Sequence, residues 1–183
     1  MKNNKKVLEE KIKNFNPNDS GSLYPGIFGF PFEPEESKLI LVPVPWEATV
    51  AYGQGAALGP QAILESSRQV DLFDPLYPNG WKEGIAMQNI PVDILNKNEE
   101  VSKKTIDYLK KYNKRIIDKK LQNQINSESI KINNYVKEKT KQLLNDNKIV
   151  GIIGGEHSVQ LGYLQALSEK YRNFGILHID AHA

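Results

Sequence analysis

The residues of this 183-residue chain with the clearest capacity for chemistry are His157, His178, Asp180 and His182, all close to its C-terminal end. Imidazole and carboxylate without sulfur form a borderline-to-hard ligand set, which suits Mn²⁺ or Fe²⁺ and tolerates Zn²⁺. Because residues i and i+2 of an extended strand point to the same side, Asp180 and His182 can face one centre. A carboxylate can bridge two cations. Asp180, with His157 on one ion and His182 on the other, would therefore begin a two-metal site.

The elements that must position these residues form a regular pattern. "KIVGII" reads as a strand, "SVQLGYLQALSEKYR" as an amphipathic helix and "FGILHI" as a second strand. A strand, a helix and a strand in succession predict a βαβ unit with parallel strands and a right-handed crossover. If the strands are neighbours, their carboxyl ends open onto the sheet edge where ligands bind. The sequence therefore predicts that His157 lies near Asp180 and His182.

Two further motifs carry a resemblance. "GGEHSVQLGYLQAL" followed by "ILHIDAHA" resembles the first two metal motifs of the ureohydrolase family, which includes arginases, agmatinases and formiminoglutamases. "VPVPWEATVAYGQGAALGPQAIL" is similar to the N-terminal segment of the same family, and most like its bacterial agmatinase-type members. The resemblance covers about residues 25–75 and 148–183.

The resemblance implies an α/β fold with three layers, α/β/α, around a parallel sheet. It also implies a binuclear manganese site, with two Mn²⁺ ions, whose hydroxide attacks a guanidinium or formimino carbon and releases urea or formamide. Matched position by position, His157 is the terminal ligand of one ion, Asp180 the bridging carboxylate and His182 the ligand of the second ion. The expected substrate is a small guanidino compound. Agmatine is the first choice, hydrolysed to putrescine and urea, and a formiminoglutamase or guanidinobutyrase-type activity is the alternative.

The chain departs from the family pattern at its end. The family motif continues as D-A-H-A-D, and a later D-x-D pair completes both metal ions. We therefore expect the fold to be incomplete at the C-terminus, the catalytic residues to lie beyond Ala183, and the chain alone to be inactive as the N-terminal part of an enzyme. Two alternatives are open: a non-catalytic half-domain that binds a partner, and a different metal hydrolase on a related fold, such as a deacetylase.

Other residues near these motifs have simpler interpretations. His178 shares a predicted strand face with Asp180, but the family motif does not use it, so we expect a hydrogen-bonded core or supporting histidine. Ser158 is expected to cap the helix, and Glu156 to have a structural or supporting role. Gly53, Gly55 and Gly59 do not follow a strand directly, which argues against a dinucleotide fingerprint. Trp46 and Glu47 are expected on the rim of the site.

The remaining segments suggest how the domain is organised. Residues 1–20 predict a short polar helix, with Val7, Leu8, Ile12 and Phe15 on one side, and residues 21–183 the N-terminal part of a ureohydrolase domain. About residues 97–147 are rich in Lys and Asn and predict a helical insertion with a solvated basic face. Helical spacing predicts a packed face formed by Ile106, Leu109, Ile116 and Ile117.

Composition excludes several classes of protein. A net charge of +2 is too small to argue for nucleic-acid binding. The absence of cysteine rules out disulfides and thiolate metal sites. The polar N-terminus lacks the apolar core of a secretory signal, and no stretch approaches the length needed to cross a membrane. A cytoplasmic protein is therefore expected, and the resemblance implies a homo-oligomer, trimer or hexamer, for the full-length protein.

Overall fold

The structure is a computed structural model that describes residues 2–17, 24–50, 52–70, 72 and 74–180. Five α-helices and three β-strands are found in this part of the chain, with short 3₁₀ turns between them. In chain order they are α1 (Lys2–Asn14), β1 (Leu39–Val44), α2 (Gly59–Ser66), β2 (Ile85–Met87), α3 (Val92–Tyr112), α4 (Lys119–Asn145), β3 (Ile149–Gly154) and α5 (Gln160–Lys170). None of the described helices is both long enough and apolar enough to span a membrane.

The three strands form one parallel sheet in the order β2-β1-β3. The β1–β3 pairing runs from Leu39 opposite Ile149 to Val44 opposite Gly154, whereas β2 pairs with only the first half of β1. Parallel neighbours require crossover connections, which the helices between the strands supply. The predicted α/β class with a parallel sheet is confirmed. Because β1 is central, four of its six residues are buried and the other two are partly buried, as its nearly continuous apolar sequence indicated.

The main core forms between this sheet and the helices that follow β2. On α4 the buried side chains recur at helical spacing, so that one face of the long helix lies against the core. They are Ile125, Ile132, Val136, Thr140, Leu143 and Leu144. The segment 97–147 thus contributes packed helices, as predicted. Its status as an insertion, and the proposed domain boundaries, stay predictions.

The predicted packed face is wrong at three of its four positions, whereas the fourth, Leu109, is half-buried. Ile106 is 39% exposed, and Ile116 and Ile117 are more than half exposed in the segment between α3 and α4. The buried positions of α3 include Asn98 and Val101 instead. The helix turns this way because the Asn98 side chain accepts a hydrogen bond from a buried backbone N–H of another segment, a long-range contact that helical spacing cannot reveal.

Helix α5 packs directly on α4 at a glycine. A Cβ atom added at Gly162 would overlap the Asn133 carbonyl oxygen, so the two backbones can approach closely only without a side chain there. At the edge of this contact the Glu169 carboxylate lies 2.5 Å from Lys137 Nζ and 2.9 Å from Lys141 Nζ. These contacts fix the direction of the helix that follows His157.

A second, smaller core lies under the N-terminal helix. Phe30, Phe32 and Trp81 are buried there, and Leu8, Ile12 and Phe15 pack against them. Within the region predicted to be a helix, α1 occupies Lys2–Asn14, and Val7 is 44% exposed rather than packed. The turn predicted to end this region falls mostly within residues 18–23, outside the described residues.

The second strand of the predicted βαβ unit is not formed. Residues 174–180 belong to no strand, and Ile176, Leu177 and Ile179 are 64%, 87% and 88% exposed. A strand exists only where a neighbour accepts its backbone hydrogen bonds. In the described part of the chain, this segment has no such neighbour and runs over the surface after α5.

Candidate metal centre

His157 is positioned by a sharp turn at the carboxyl end of β3. Gly155 has a φ of +36°, and a Cβ atom there would overlap the Trp46 carbonyl oxygen. The same oxygen accepts a hydrogen bond from the Glu156 backbone N–H at 2.7 Å. His157 then begins a 3₁₀ turn, His157–Val159, that leads into α5. The close approach of two backbones therefore determines where the imidazole lies, and it requires glycine.

Glu156 fastens this turn to a loop far away in sequence. Its carboxylate accepts hydrogen bonds from the Thr49 backbone N–H at 3.0 Å, the Thr49 hydroxyl at 2.6 Å and the Ser158 hydroxyl at 2.6 Å. Glu156 is only 9% exposed. The expected structural role of Glu156 agrees with these contacts. The predicted helix cap by Ser158 is wrong, because its hydroxyl is used by Glu156 and α5 has no side-chain cap.

The glycine-rich loop is held by a neighbouring carboxylate. Glu47 accepts a hydrogen bond from the Gly55 backbone N–H at 2.7 Å, and its own N–H donates to Asn98 Oδ1 at 2.7 Å. Glu47 is 8% exposed and Trp46 only 1%, so the expectation that both lie on an open rim is wrong. Trp46 belongs to the main core. Its carbonyl oxygen, rather than its ring, is what contacts the turn before His157.

Three side chains meet beside this turn. His157 Nδ1 lies 3.0 Å from Asp180 Oδ2, and His178 Nε2 lies 3.4 Å from the same oxygen. The two imidazole rings are nearly perpendicular, at 79°, with centroids 5.2 Å apart. One candidate ligand atom from each of the three residues lies within 4.8 Å of the other two. In the described part of the chain this is the one such group of three metal-ligating side chains.

The donor set suits a divalent transition-metal ion. Two imidazoles and one carboxylate are ligands that Zn²⁺, Fe²⁺ and Mn²⁺ all accept, and a soft-metal site would need sulfur, which the chain lacks. The imidazole side chains are more than half exposed, whereas the Asp180 side chain is 19% exposed. An ion from solution could therefore reach the nitrogens without any rearrangement of the core.

The predicted site residues are partly brought together. His157 and Asp180 are in contact, although the strand that was expected to carry Asp180 is not formed. His182 lies outside the described residues. The assignment of His157, Asp180 and His182 as metal ligands stays a prediction.

His178 lies beside the other two residues, and its expected supporting role stays a prediction. It is exposed and in contact with both other members of the cluster, not in the core. Its contact with Asp180 agrees with the sequence observation that His178 and Asp180 alternate along the same segment.

Several charges on the two long helices, α3 and α4, are paired with nearby opposite charges. The Lys104 and Lys97 ammonium groups lower the pKa of Glu100 to about 2. At the start of α4, the backbone N–H of Leu121 and the Lys111 ammonium hold the pKa of Asp118 below its usual value. This pairing leaves a mixed, solvated helix surface, as expected for the basic run.

A family profile decides where the chain belongs. The profile described as the Arginase family matches residues 37–183, which is most of the chain. The chain belongs to the arginase family. This membership confirms the resemblance that the two metal motifs indicated and favours it over the deacetylase alternative.

Curated relatives of this arginase-family chain are similar at low identity. The chain is 27% identical over 149 residues to an N(1)-aminopropylagmatine ureohydrolase of Thermus thermophilus, and 25% identical over 150 residues to an agmatinase of Bacillus cereus. Each match covers 81% of this chain but 41% of the relative, so the chain spans about two fifths of their length. An arginase of Staphylococcus aureus is 31% identical over 55 residues, 30% of this chain and 18% of that protein. No solved structure matches the chain at a significant level.

Proposed function

We propose that this chain is the N-terminal part of a manganese-dependent amidinohydrolase whose first-choice substrate is agmatine, with putrescine and urea as products. Membership of the arginase family supports a hydrolase of guanidino compounds. Relatives named agmatinase and N(1)-aminopropylagmatine ureohydrolase, both about twice the length of this chain, support the choice of substrate class. The observation that carries the proposal is the 3.0 Å contact between His157 Nδ1 and Asp180 Oδ2, which joins the two metal motifs.

Each described residue of the proposed site has a distinct task. His157 and Asp180, with His182, would hold two Mn²⁺ ions, and further carboxylates beyond Ala183 would complete the ligand set. Bound manganese would supply Lewis acidity that makes water a competent nucleophile at neutral pH. Gly155 lets the turn reach the Trp46 carbonyl and so fixes the starting point of the His157 side chain. The Asp180 carboxylate supplies negative charge against the cations.

The substrate has alternatives within the same family. A formiminoglutamase or guanidinobutyrase-type hydrolase would use the same His157 and Asp180 and differ in the residues that bind the substrate tail. The arginase similarity over 55 residues is consistent with a family-wide rather than a substrate-specific likeness of this region. A panel of agmatine, arginine, guanidinobutyrate and formiminoglutamate, assayed for urea or formamide, separates these activities.

The decisive experiment uses the longer protein. The coding sequence would be read past codon 183, where we expect Asp at position 184 and a later D-x-D pair. That protein, loaded with Mn²⁺, is expected to release urea from agmatine, and His157→Ala is expected to abolish the release. Gln165→Ala, at an exposed position of α5, is the matched control that keeps activity. If the manganese-loaded protein released neither urea nor formamide from any compound of the panel, the amidinohydrolase proposal would be wrong.

A non-catalytic half-domain that binds a partner is the second candidate. The exposed Ile176, Leu177 and Ile179 favour it, since a surface segment this apolar is typical of a binding site or an aggregation hazard. Size-exclusion chromatography and thermal melting of the 183-residue chain test it. A stable monomer would support it, and insoluble or molten material would favour part of a larger enzyme. Trimer or hexamer formation and a cytoplasmic location stay predictions.

A further inference from the structure

We propose that Thr49 is a positioning residue of the metal centre: it holds the carboxylate of Glu156 and, through it, the turn that carries His157. The inference rests on the proposed function and deepens it, because it names a residue outside the two metal motifs on which manganese binding depends. Thr49 lies in the loop after β1, 107 residues before Glu156 in the sequence. It acts through Glu156 rather than on the ion itself.

Thr49 binds the Glu156 carboxylate at two points. Its hydroxyl donates a hydrogen bond to Oε1 at 2.6 Å, and its backbone N–H donates to Oε2 at 3.0 Å. Two donors from one residue, one on each oxygen, fix both the position and the plane of the carboxylate. Because Glu156 is only 9% exposed, its carboxylate depends on these hydrogen bonds to offset the loss of solvation.

The same glutamate holds both neighbours of His157. The Ser158 hydroxyl donates to Glu156 Oε1 at 2.6 Å, and the Glu156 backbone N–H donates to the Trp46 carbonyl oxygen at 2.7 Å. The residues directly before and after His157 are therefore tied to the loop after β1. The His157 side chain is 56% exposed, so little packing restrains it, and its position follows from that of the turn.

The loop that carries Thr49 is itself anchored. The Val50 backbone N–H donates to the Glu47 carbonyl oxygen at 3.1 Å, which closes a turn that contains Thr49. The Glu47 N–H donates to Asn98 Oδ1 on α3 at 2.7 Å, and both of these residues are buried. Because hydrogen bonds from supporting residues orient the ligands of metal sites, a firmly held loop lets Thr49 determine where His157 lies.

A purely structural role predicts a different response to substitution. If Thr49 only satisfied a buried carboxylate, its loss would lower the stability of the fold and leave the metal affinity unchanged. If Thr49 positions His157, its loss weakens metal binding. Thr49→Val separates the two roles, because it removes the hydroxyl but keeps the shape of the side chain and the backbone N–H. Thr49 is exposed, so this substitution does not disturb the core.

The test measures the Mn²⁺ affinity of the longer protein, with electron paramagnetic resonance reporting the free ion during a titration. Losing a residue that orients a ligand typically weakens metal affinity by ~10–100-fold. Thr49 acts at one further remove, through Glu156, so we expect Thr49→Val to weaken Mn²⁺ binding by about 10-fold. Thr49→Ser keeps the hydroxyl and should stay within about threefold of the unsubstituted protein.

Ser168→Ala is the matched control. It removes an exposed hydroxyl from α5, the helix that follows His157, and that hydroxyl donates to the Gln165 carbonyl oxygen at 2.8 Å. Its loss should leave the Mn²⁺ affinity within about threefold of the original value.

A double-substitution cycle tests whether Thr49 acts through Glu156. Two residues that act through one contact have non-additive effects. Once Glu156→Ala has removed both carboxylate oxygens, adding Thr49→Val should change the Mn²⁺ affinity by less than about twofold. A full 10-fold loss in both backgrounds, about the effect of the single substitution, would overturn the role through Glu156. If Glu156→Ala does not fold, the comparison of Thr49→Val with Thr49→Ser still decides the inference.

The outcomes separate this inference from the proposed function. If Thr49→Val lowers the melting temperature of the metal-free protein but binds Mn²⁺ as tightly as the unsubstituted protein, the role of Thr49 is structural. The inference is then overturned, and the proposed function stands. If the unsubstituted protein binds Mn²⁺ but releases neither urea nor formamide from any compound of the panel, the proposed function fails, and the affinities of the variants still decide the inference. If it binds no Mn²⁺, both are overturned.

Discussion

Gly155→Ala provides a sharp test of how the fold positions His157. Gly155 is the last residue before Glu156 and His157, and it has a φ of +36°. An added Cβ atom would overlap the Trp46 carbonyl oxygen and lie 2.9 Å from the Val44 carbonyl oxygen, closer than real Cβ atoms come to other atoms. Both oxygens belong to the backbone at the end of β1, so no side chain can rotate away to make room.

The expected loss of stability has three physical sources. A non-glycine residue in the left-handed region costs ~1–2 kcal/mol. Forcing an extra carbon into a packed site costs another ~1–3 kcal/mol. Displacing the Trp46 carbonyl also weakens the 2.7 Å hydrogen bond that it accepts from the Glu156 N–H, a contribution of ~1 kcal/mol. Together these place the decrease in unfolding free energy at roughly 3–6 kcal/mol, a large part of the stability of an ordinary domain.

Equilibrium urea denaturation of the chain measures this decrease. Gly175→Ala is the matched control. A Cβ there would meet no atom within 4 Å, and its backbone is not in the left-handed region. We expect that control to change stability by less than ~0.5 kcal/mol. One hydrogen bond contributes about 1 kcal/mol. If the unfolding free energy of Gly155→Ala were within about 1 kcal/mol of that of the Gly175→Ala control, the backbone-contact explanation would be refuted.

Three further substitutions probe other contacts. Gly162→Ala is expected to destabilise the chain despite the ~1 kcal/mol advantage of alanine in helices, because its Cβ would overlap the Asn133 carbonyl; a raised melting temperature would contradict this close packing. Glu156→Gln removes a buried charged acceptor of three hydrogen bonds and should cost ~1.5–3 kcal/mol in denaturation experiments; a neutral result would show that the carboxylate is not needed to hold the turn. Burial raises the pKa of Glu36, but the Glu33 N–H and the Lys11 ammonium together lower it by more than burial raises it. The pKa of Glu36 in the folded chain therefore lies below the ordinary value of 4.5. A lowered pKa stabilises the fold at pH values above 4.5, and this stabilisation is lost as the pH falls through the folded-state pKa. Glu36→Gln should therefore flatten the acid side of a profile of melting temperature against pH. An unchanged acid side would refute the assignment.

Local patterns explain why much of the fold could be predicted. The buried strand at β1, the strand at β3 and the amphipathic helices each show in the spacing of apolar residues, because backbone geometry repeats on the scale of a few residues. The two motifs that contain His157 and Asp180 likewise predicted the family, which the profile match confirms.

Errors arose where a contact joins distant parts of the chain. The packed face of α3 is set by Asn98, which accepts a hydrogen bond from Glu47, and the apolar Ile116 and Ile117 lie in the connection after the helix. "FGILHI" has the composition of a strand, but a strand forms only with a neighbour, and none pairs with it in the described part of the chain.

The sequence by itself determined most of the types of secondary structure and the family, because these depend on local spacing and residue chemistry. Only the tertiary structure decided that the Trp46 carbonyl oxygen fixes the turn at Gly155, and that His178 shares a carboxylate oxygen with His157. Such contacts depend on how separate segments pack in space, and packing is a property of the whole fold that no short stretch of sequence contains.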